Sequence, residues 1–182
     1  MPTIDSTYFF GPLNIAQKAT VASSLSEFIA EHEDKLLTDL FGYELYKAYK
    51  AGIAAGTPDA KWTDLRDGKE YEKRNGILSK WKGLKFTEGT GKKSLIANYV
   101  YWHWLENEAS ITSGTGEKAA ISENAVNVSP AGKMINAWNQ MVYWNWELIE
   151  FLLSNPDDYP EFINHYSRIP KSILKKQNLF GI

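Results

Sequence analysis

From Val21 the chain repeats apolar residues at three- and four-residue steps. Leu25, Phe28, Ile29, His32, Leu36 and Leu40 share one side, while Glu27, Glu31, Asp34 and Lys35 fall largely elsewhere. That spacing predicts an amphipathic helix. Ser23 or Ser24 is placed to cap it, and Ser24 with Glu27 has capping-box spacing. Gly42 interrupts the run. A second short helix follows, with Leu45, Tyr46 and Tyr49 as its apolar positions, closed by Gly52, Gly56 and Pro58.

Residues 59–91 change character: apolar positions thin out and Asp67-Gly68, Asn75-Gly76, Gly83, Gly89 and Gly91 punctuate the stretch. Asn75-Gly76 lies between Tyr71-Glu-Lys-Arg and Ile77-Leu-Ser-Lys-Trp81. Asn and Gly both tolerate positive φ, so the pair predicts a two-stranded hairpin turn. A short helix over 65–80 is the competing reading.

A long helix is predicted from about Lys92 to Ile111. Ile96, Tyr99, Val100 and His103 trace one side, Trp102, Leu105 and Ala109 an adjoining one, and Tyr101 and Trp104 point elsewhere. Apolar groups nearly all round imply burial from more than one direction. Residues 112–129 read as a long polar loop, with Asn124–Val128 able to pair as a strand. Ser129-Pro130 opens a last long helix running to about Ser154. Met134, Ile135, Trp138, Met141, Val142, Leu148, Ile149 and Leu152 form its broad stripe; Trp144 and Phe151 make a second apolar patch. A short helix around Asp157–His165 and a basic-then-apolar tail over 166–182 complete the chain. Residues 1–20, with Gly11-Pro12 as a turn, read as an arm that needs a partner surface to become ordered. The fold class predicted is mainly α. A small helical bundle carries a β-hairpin or extended arm inserted between the N-terminal and central helices, all within one domain spanning 1–182.

Composition changes this picture in two ways. Aromatics reach 14%, with seven Trp and ten Tyr, side chains that serve interfaces as readily as cores. Net charge is −2 from 20 basic and 22 acidic residues, a balance that argues against a nucleic-acid-binding domain. Without cysteine, disulfides, thiolate metal sites and cysteine nucleophiles are excluded together. No basic-then-apolar leader opens the sequence, and no apolar run approaches the roughly 20 residues of a membrane span. The expectation is a chain made in a cytoplasm that does not enter membranes.

Candidate chemistry is sparse. The histidines occur as Glu31-His32, His103-x-x-Glu106 and Glu161-x-x-x-His165, none in the Glu-x-x-His order of di-iron bundles. His32, His103 and Glu106 form a mononuclear metal site only if the first and third helices pack together. Thr87-Glu-Gly-Thr-Gly-Lys-Lys93 and Ser113-Gly-Thr-Gly-Glu-Lys118 lack P-loop spacing. There is no Gly-x-Ser-x-Gly. The expectation is no enzyme, no cofactor and no metal.

Several segments together resemble the head–tail connector (adaptor, or neck-ring) proteins of tailed bacteriophages, in particular a divergent branch from phages of Bacteroidetes hosts. They are Leu25-Ser-Glu-Phe-Ile-Ala-Glu-His-Glu-Asp-Lys-Leu-Leu-Thr-Asp-Leu-Phe-Gly42 with Tyr43-Glu-Leu-Tyr-Lys-Ala-Tyr49, then Trp62-Thr-Asp-Leu-Arg-Asp-Gly-Lys-Glu-Tyr71 and Trp81-Lys-Gly-Leu-Lys85. Tyr99-Val-Tyr-Trp-His-Trp104 leading into Thr112-Ser-Gly-Thr-Gly-Glu117, and finally Asp158-Tyr-Pro-Glu-Phe162, follow in order. The resemblance spans residues 20–165. It implies a structural virion protein at the head–tail junction. Such a protein is a subunit of a homo-oligomeric ring, commonly of twelve copies, that binds the portal protein and the next neck or tail component. DNA would pass through the channel without specific binding.

A ring subunit meets its neighbours through two different surfaces. Tyr101, Trp104, Trp144 and Phe151 are the surplus aromatic candidates for these, and Leu179 and Phe180 are candidates for a tail clip onto the portal. The alternatives are an intracellular helical adaptor or regulatory binding protein, and a small helical metal protein.

Overall fold

The computed structural model describes residues 2–15, 19–89, 91–113, 116–119 and 130–178, without the side chains of 19–23 and 109–119. It is mainly helical, with two small antiparallel hairpins between the N-terminal and central helices. In chain order the elements are α1 (Ala19–Ala54), α2 (Ala60–Asp67), β1 (Lys69–Glu72), β2 (Leu78–Trp81), β3 (Phe86–Glu88) and β4 (Gly91–Lys93). Then come α3 (Leu95–Ala109), β5 (Ser110–Ser113), β6 (Gly116–Ala119), α4 (Ala131–Ser154) and α5 (Pro160–His165).

The predicted break at Gly42 is real. Gly42 has φ 76° and ψ 160° inside α1, a left-handed backbone open to glycine without a Cβ penalty. A second reason holds it there: a Cβ would sit 2.6 Å from Cγ of His165. His165 Nε2–H donates to the Asp39 carbonyl at 2.9 Å, satisfying one of the carbonyls freed where the helix breaks. The helix starts at Ala19, so Ser23 and Ser24 lie inside it rather than capping it.

α3 is the centre of the bundle. Every residue from Ser94 to Tyr101 is buried, because α1 covers one flank and α4 the other. Trp102 and Tyr99 pack on Trp138 of α4 at ring-centroid distances of 4.9 and 6.3 Å. Ser94 opens the helix by accepting the Ile96 N–H on Oγ at 3.0 Å while its own hydroxyl donates to Leu84 O at 2.6 Å.

The stretch 59–91 does hold the predicted hairpin: β1 pairs antiparallel with β2, Tyr71 opposite Ser79 and Glu72 opposite Leu78. The competing helix over 65–80 is not formed, while a short α2 precedes the hairpin at 60–67. Sequence reading missed α2 because Trp62 and Leu65 are its only buried positions. A second hairpin, β3–β4, follows directly.

Gly68 and Gly83 fasten this insertion together. Both have positive φ, 102° and 100°, and a Cβ on Gly83 would lie 2.6 Å from the Arg66 carbonyl oxygen. That close approach lets Leu84 and Lys85 donate to Leu65 O and Arg66 O at 3.3 and 3.1 Å. Trp81 Nε1–H reaches the same Leu65 carbonyl at 2.9 Å.

Both chain ends depart from expectation. The N-terminal segment needs no partner to be placed: Ile4, Tyr8, Phe9 and Ile15 belong to the core. The physical anchor is Glu33, only 4% exposed, whose carboxylate accepts the Thr3 N–H at 2.7 and 2.9 Å. Burial nonetheless raises its pKa above the ordinary carboxylate range, with the Thr3 and Ile4 donors opposing the shift.

The tail is likewise strapped along α4. Asn145 Nδ2 donates to Ile173 O at 2.8 Å, Trp138 Nε1 to Lys175 O at 2.9 Å, and Asn139 exchanges two bonds with Gln177 at 2.9 and 2.7 Å. These side chains, two amides and an indole, supply the partners that a strand neighbour would give to the tail's backbone.

The loop predicted over 112–129 begins instead with a hairpin, β5–β6, Ser110 opposite Ala119. The proposed strand at 124–128 and the cap at Ser129 lie outside the described residues. α4 starts at Ala131, with the Pro130 carbonyl accepting the Met134 N–H at 3.0 Å.

Candidate functional site

The four aromatics expected to form an interface are buried in the single chain. Tyr101 is 1% exposed, Trp104 8%, Trp144 6% and Phe151 1%. The part of the chain that looked like an appendage covers two of them. Phe151 lies under the first hairpin, edge-on to Tyr71 at 5.1 Å and stacked with Trp81 at 6.0 Å, with Tyr159 closing the far side at 5.7 Å. Trp144 meets Phe86 of β3 at right angles, 5.1 Å between centroids. Trp104 is packed edge-on by Phe28 of α1 at 5.3 Å. The second apolar patch of α4 is therefore core, roofed by the two hairpins. Each such ring contributes about 1.5–3 kcal/mol of burial to the fold. Leu179 and Phe180 lie outside the described residues.

The exposed large apolar groups are others, which periodicity did not single out. Ile77 and Leu78, at the turn of the first hairpin, are 58% and 73% exposed. Tyr43, next to the Gly42 break, is 66% exposed; Ile163 and Tyr166, flanking His165, are exposed too. Because the His165 ring sits against Gly42, these three gather around the α1–α5 junction. Tyr143 and Trp146 form an exposed pair on the outer side of α4. Exposed clusters of this kind, unlike scattered single residues, mark contact surfaces.

α1 and α3 do pack together, so His32, His103 and Glu106 meet. The two imidazole centroids are 4.7 Å apart. His32 Nδ1–H donates to the Phe28 carbonyl at 3.0 Å, and His103 Nδ1 pairs with Glu106 Oε2 at 3.2 Å. Phe28 stacks on His32 at 3.9 Å and Tyr99 stands edge-on to His103 at 4.5 Å. Burial, aided by the His32 and Lys35 charges, pushes the His103 imidazole down to about 4; burial also lowers His32. Burial thus favours the neutral form of both rings, which are packed among aromatic neighbours. With Glu106 engaged by one histidine, no group of three or more His, Asp or Glu is placed to hold a metal ion among the described residues.

The two glycine-rich segments considered for phosphate are hairpins. Thr87 pairs with Lys92 and Glu88 with Gly91 in one, Thr112 with Glu117 in the other. Their backbone N–H groups are committed in part to ladder bonds. No helix among the described residues is long and apolar enough to cross a membrane.

Comparison with protein-family models, with curated proteins and with solved structures gives no match. The functional reading therefore rests on the chain's own surfaces and on the order of its sequence motifs.

Proposed function

We propose that this protein is a structural virion component, a head–tail connector ring subunit that bridges the portal to the next neck or tail protein and extends the DNA channel. One observation carries the reading: with the core aromatics accounted for, large apolar side chains remain exposed on separate elements, Ile77 and Leu78 at a hairpin turn and Tyr43, Ile163 and Tyr166 at the α1–α5 junction. A closed ring needs two different surfaces on every copy, each matching the other on the neighbour. The resemblance of the ordered motifs from Leu25 to Phe162 adds the location. The formal charge of −2 suits a channel wall that must pass DNA without gripping it.

The test is native mass spectrometry and negative-stain electron microscopy of the full chain, alone and with the portal protein encoded in the same genome. The expected result is a portal-bound ring of many copies. A stable one-to-one complex with a single cellular protein, and none with the portal, would favour the intracellular adaptor reading instead.

A further inference from the structure

We infer that the cleft between the N-terminal turns, β4 and α4 is a binding site for a small amphiphilic carboxylate, a molecule with an apolar body and one anionic head. The inference goes beyond assembly and does not depend on it.

Two features of the cleft point to that ligand. It has a volume of about 410 Å³, within the range of small-molecule sites. Its apolar surface comes from opposite walls: Phe10 and Leu13 on the N-terminal side, Ala137 and Trp144 on α4. Phe10 stays 42% exposed there, a large ring for which the chain provides no full cover. An apolar body filling the cleft would remove that ring from water.

The charge is one-sided. Lys92, Lys93 and Lys133 line the cleft, and among the described residues no acid does. Lys93 is paired with Glu88, and Lys92 Nζ donates to Thr7 Oγ1 at 2.7 Å. Lys133 has no ion pair among the described residues. A ligand carboxylate at this rim meets a cation that the fold has not used, while a cationic head would meet three like charges.

Trp144 and Asn98 also line the cleft, at 6% and 5% exposure. The Asn98 Nδ2 is already given to Ser94 O at 3.0 Å. The Trp144 ring lines the cleft while its Nε1 is shielded from solvent, so its indole signal reports occupancy through the ring.

The experiment titrates the full chain with sodium decanoate, decanol and decyltrimethylammonium, all below micelle formation, following heat and the indole N–H region of the ¹H–¹⁵N spectrum. Decanoate is expected to bind at one site and to shift the one indole signal that Trp144→Phe removes. Decyltrimethylammonium should not bind, and decanol should bind at least tenfold more weakly. Lys133→Glu, at an exposed position, should leave the fold intact and weaken decanoate by about tenfold. Decanol binding as tightly as decanoate, decanoate binding unchanged in Lys133→Glu, or shifts confined to other indoles would each overturn the inference.

Discussion

At the base of the first hairpin Tyr71 and Trp81 close on Phe151, whereas at its turn, about 10 Å away along the strands, Ile77 and Leu78 face solvent. Both ends are comparably apolar in sequence. Ile77 lies in the turn beyond the ladder, and strand parity separates Leu78 from Tyr71 and Trp81. Lys69, Tyr71, Ser79 and Trp81 share the face turned to α4, and Glu70, Glu72, Leu78 and Lys80 share the other. Leu78 thus sits in a polar row, opposite Glu72, where nothing in the monomer rewards an apolar side chain. The buried end contributes to stability, and the bare end is the surface that the proposed ring contact would use.

The strongest way to break that comparison is at the base. Phe151→Ala removes a ring 1% exposed between three aromatics. It should cost about 3–5 kcal/mol in urea denaturation. A loss below about 1 kcal/mol would mean that the hairpin is no true roof. Next in size is acid. The His103 imidazole titrates near 4 in the fold against an ordinary value of 6.5, so folding favours its neutral form. The stability this provides is present above pH 6.5 and is lost as pH falls from 6.5 toward 4. It amounts to about 2–3 kcal/mol, and His103→Gln should flatten that limb of the profile. Smaller again is the tail. Asn139→Ala removes two bonds to Gln177. About 1–2 kcal/mol should be lost, with faster hydrogen exchange at 175–178 than at the centre of α4.

How much of this was legible in sequence follows the same division. Periodicity located α1 with its Gly42 break, α3, α4 and the Asn75-Gly76 hairpin, because each is a local pattern. It could not say which of α4's two apolar sides would be roofed, since the roof (Tyr71, Trp81 and Phe86) is far along the chain and its contact depends on how the insertion folds back through Gly68 and Gly83. Nothing in the sequence distinguishes Glu33 from the other acids of α1, yet it anchors the N-terminal segment. Nothing in the sequence marks Asn139 and Asn145, yet they hold the tail. Long-range side-chain-to-backbone bonds leave no period to read. The same blindness singled out Tyr101, Trp104, Trp144 and Phe151, which are buried in the core, and did not single out Ile77, Leu78, Tyr43, Ile163 and Tyr166, which are exposed.

The smallest expected change in stability carries the largest consequence for function. Leu78→Asp should alter the unfolding free energy of the monomer by no more than about 0.5 kcal/mol, because Leu78 is 73% exposed. The most direct test of the account is therefore native mass spectrometry of this variant beside the unaltered chain, each mixed with the portal protein, with thermal unfolding recorded on the same samples. The account predicts an unchanged unfolding midpoint together with loss of the portal-bound ring. A ring that forms equally well with Leu78→Asp would contradict it.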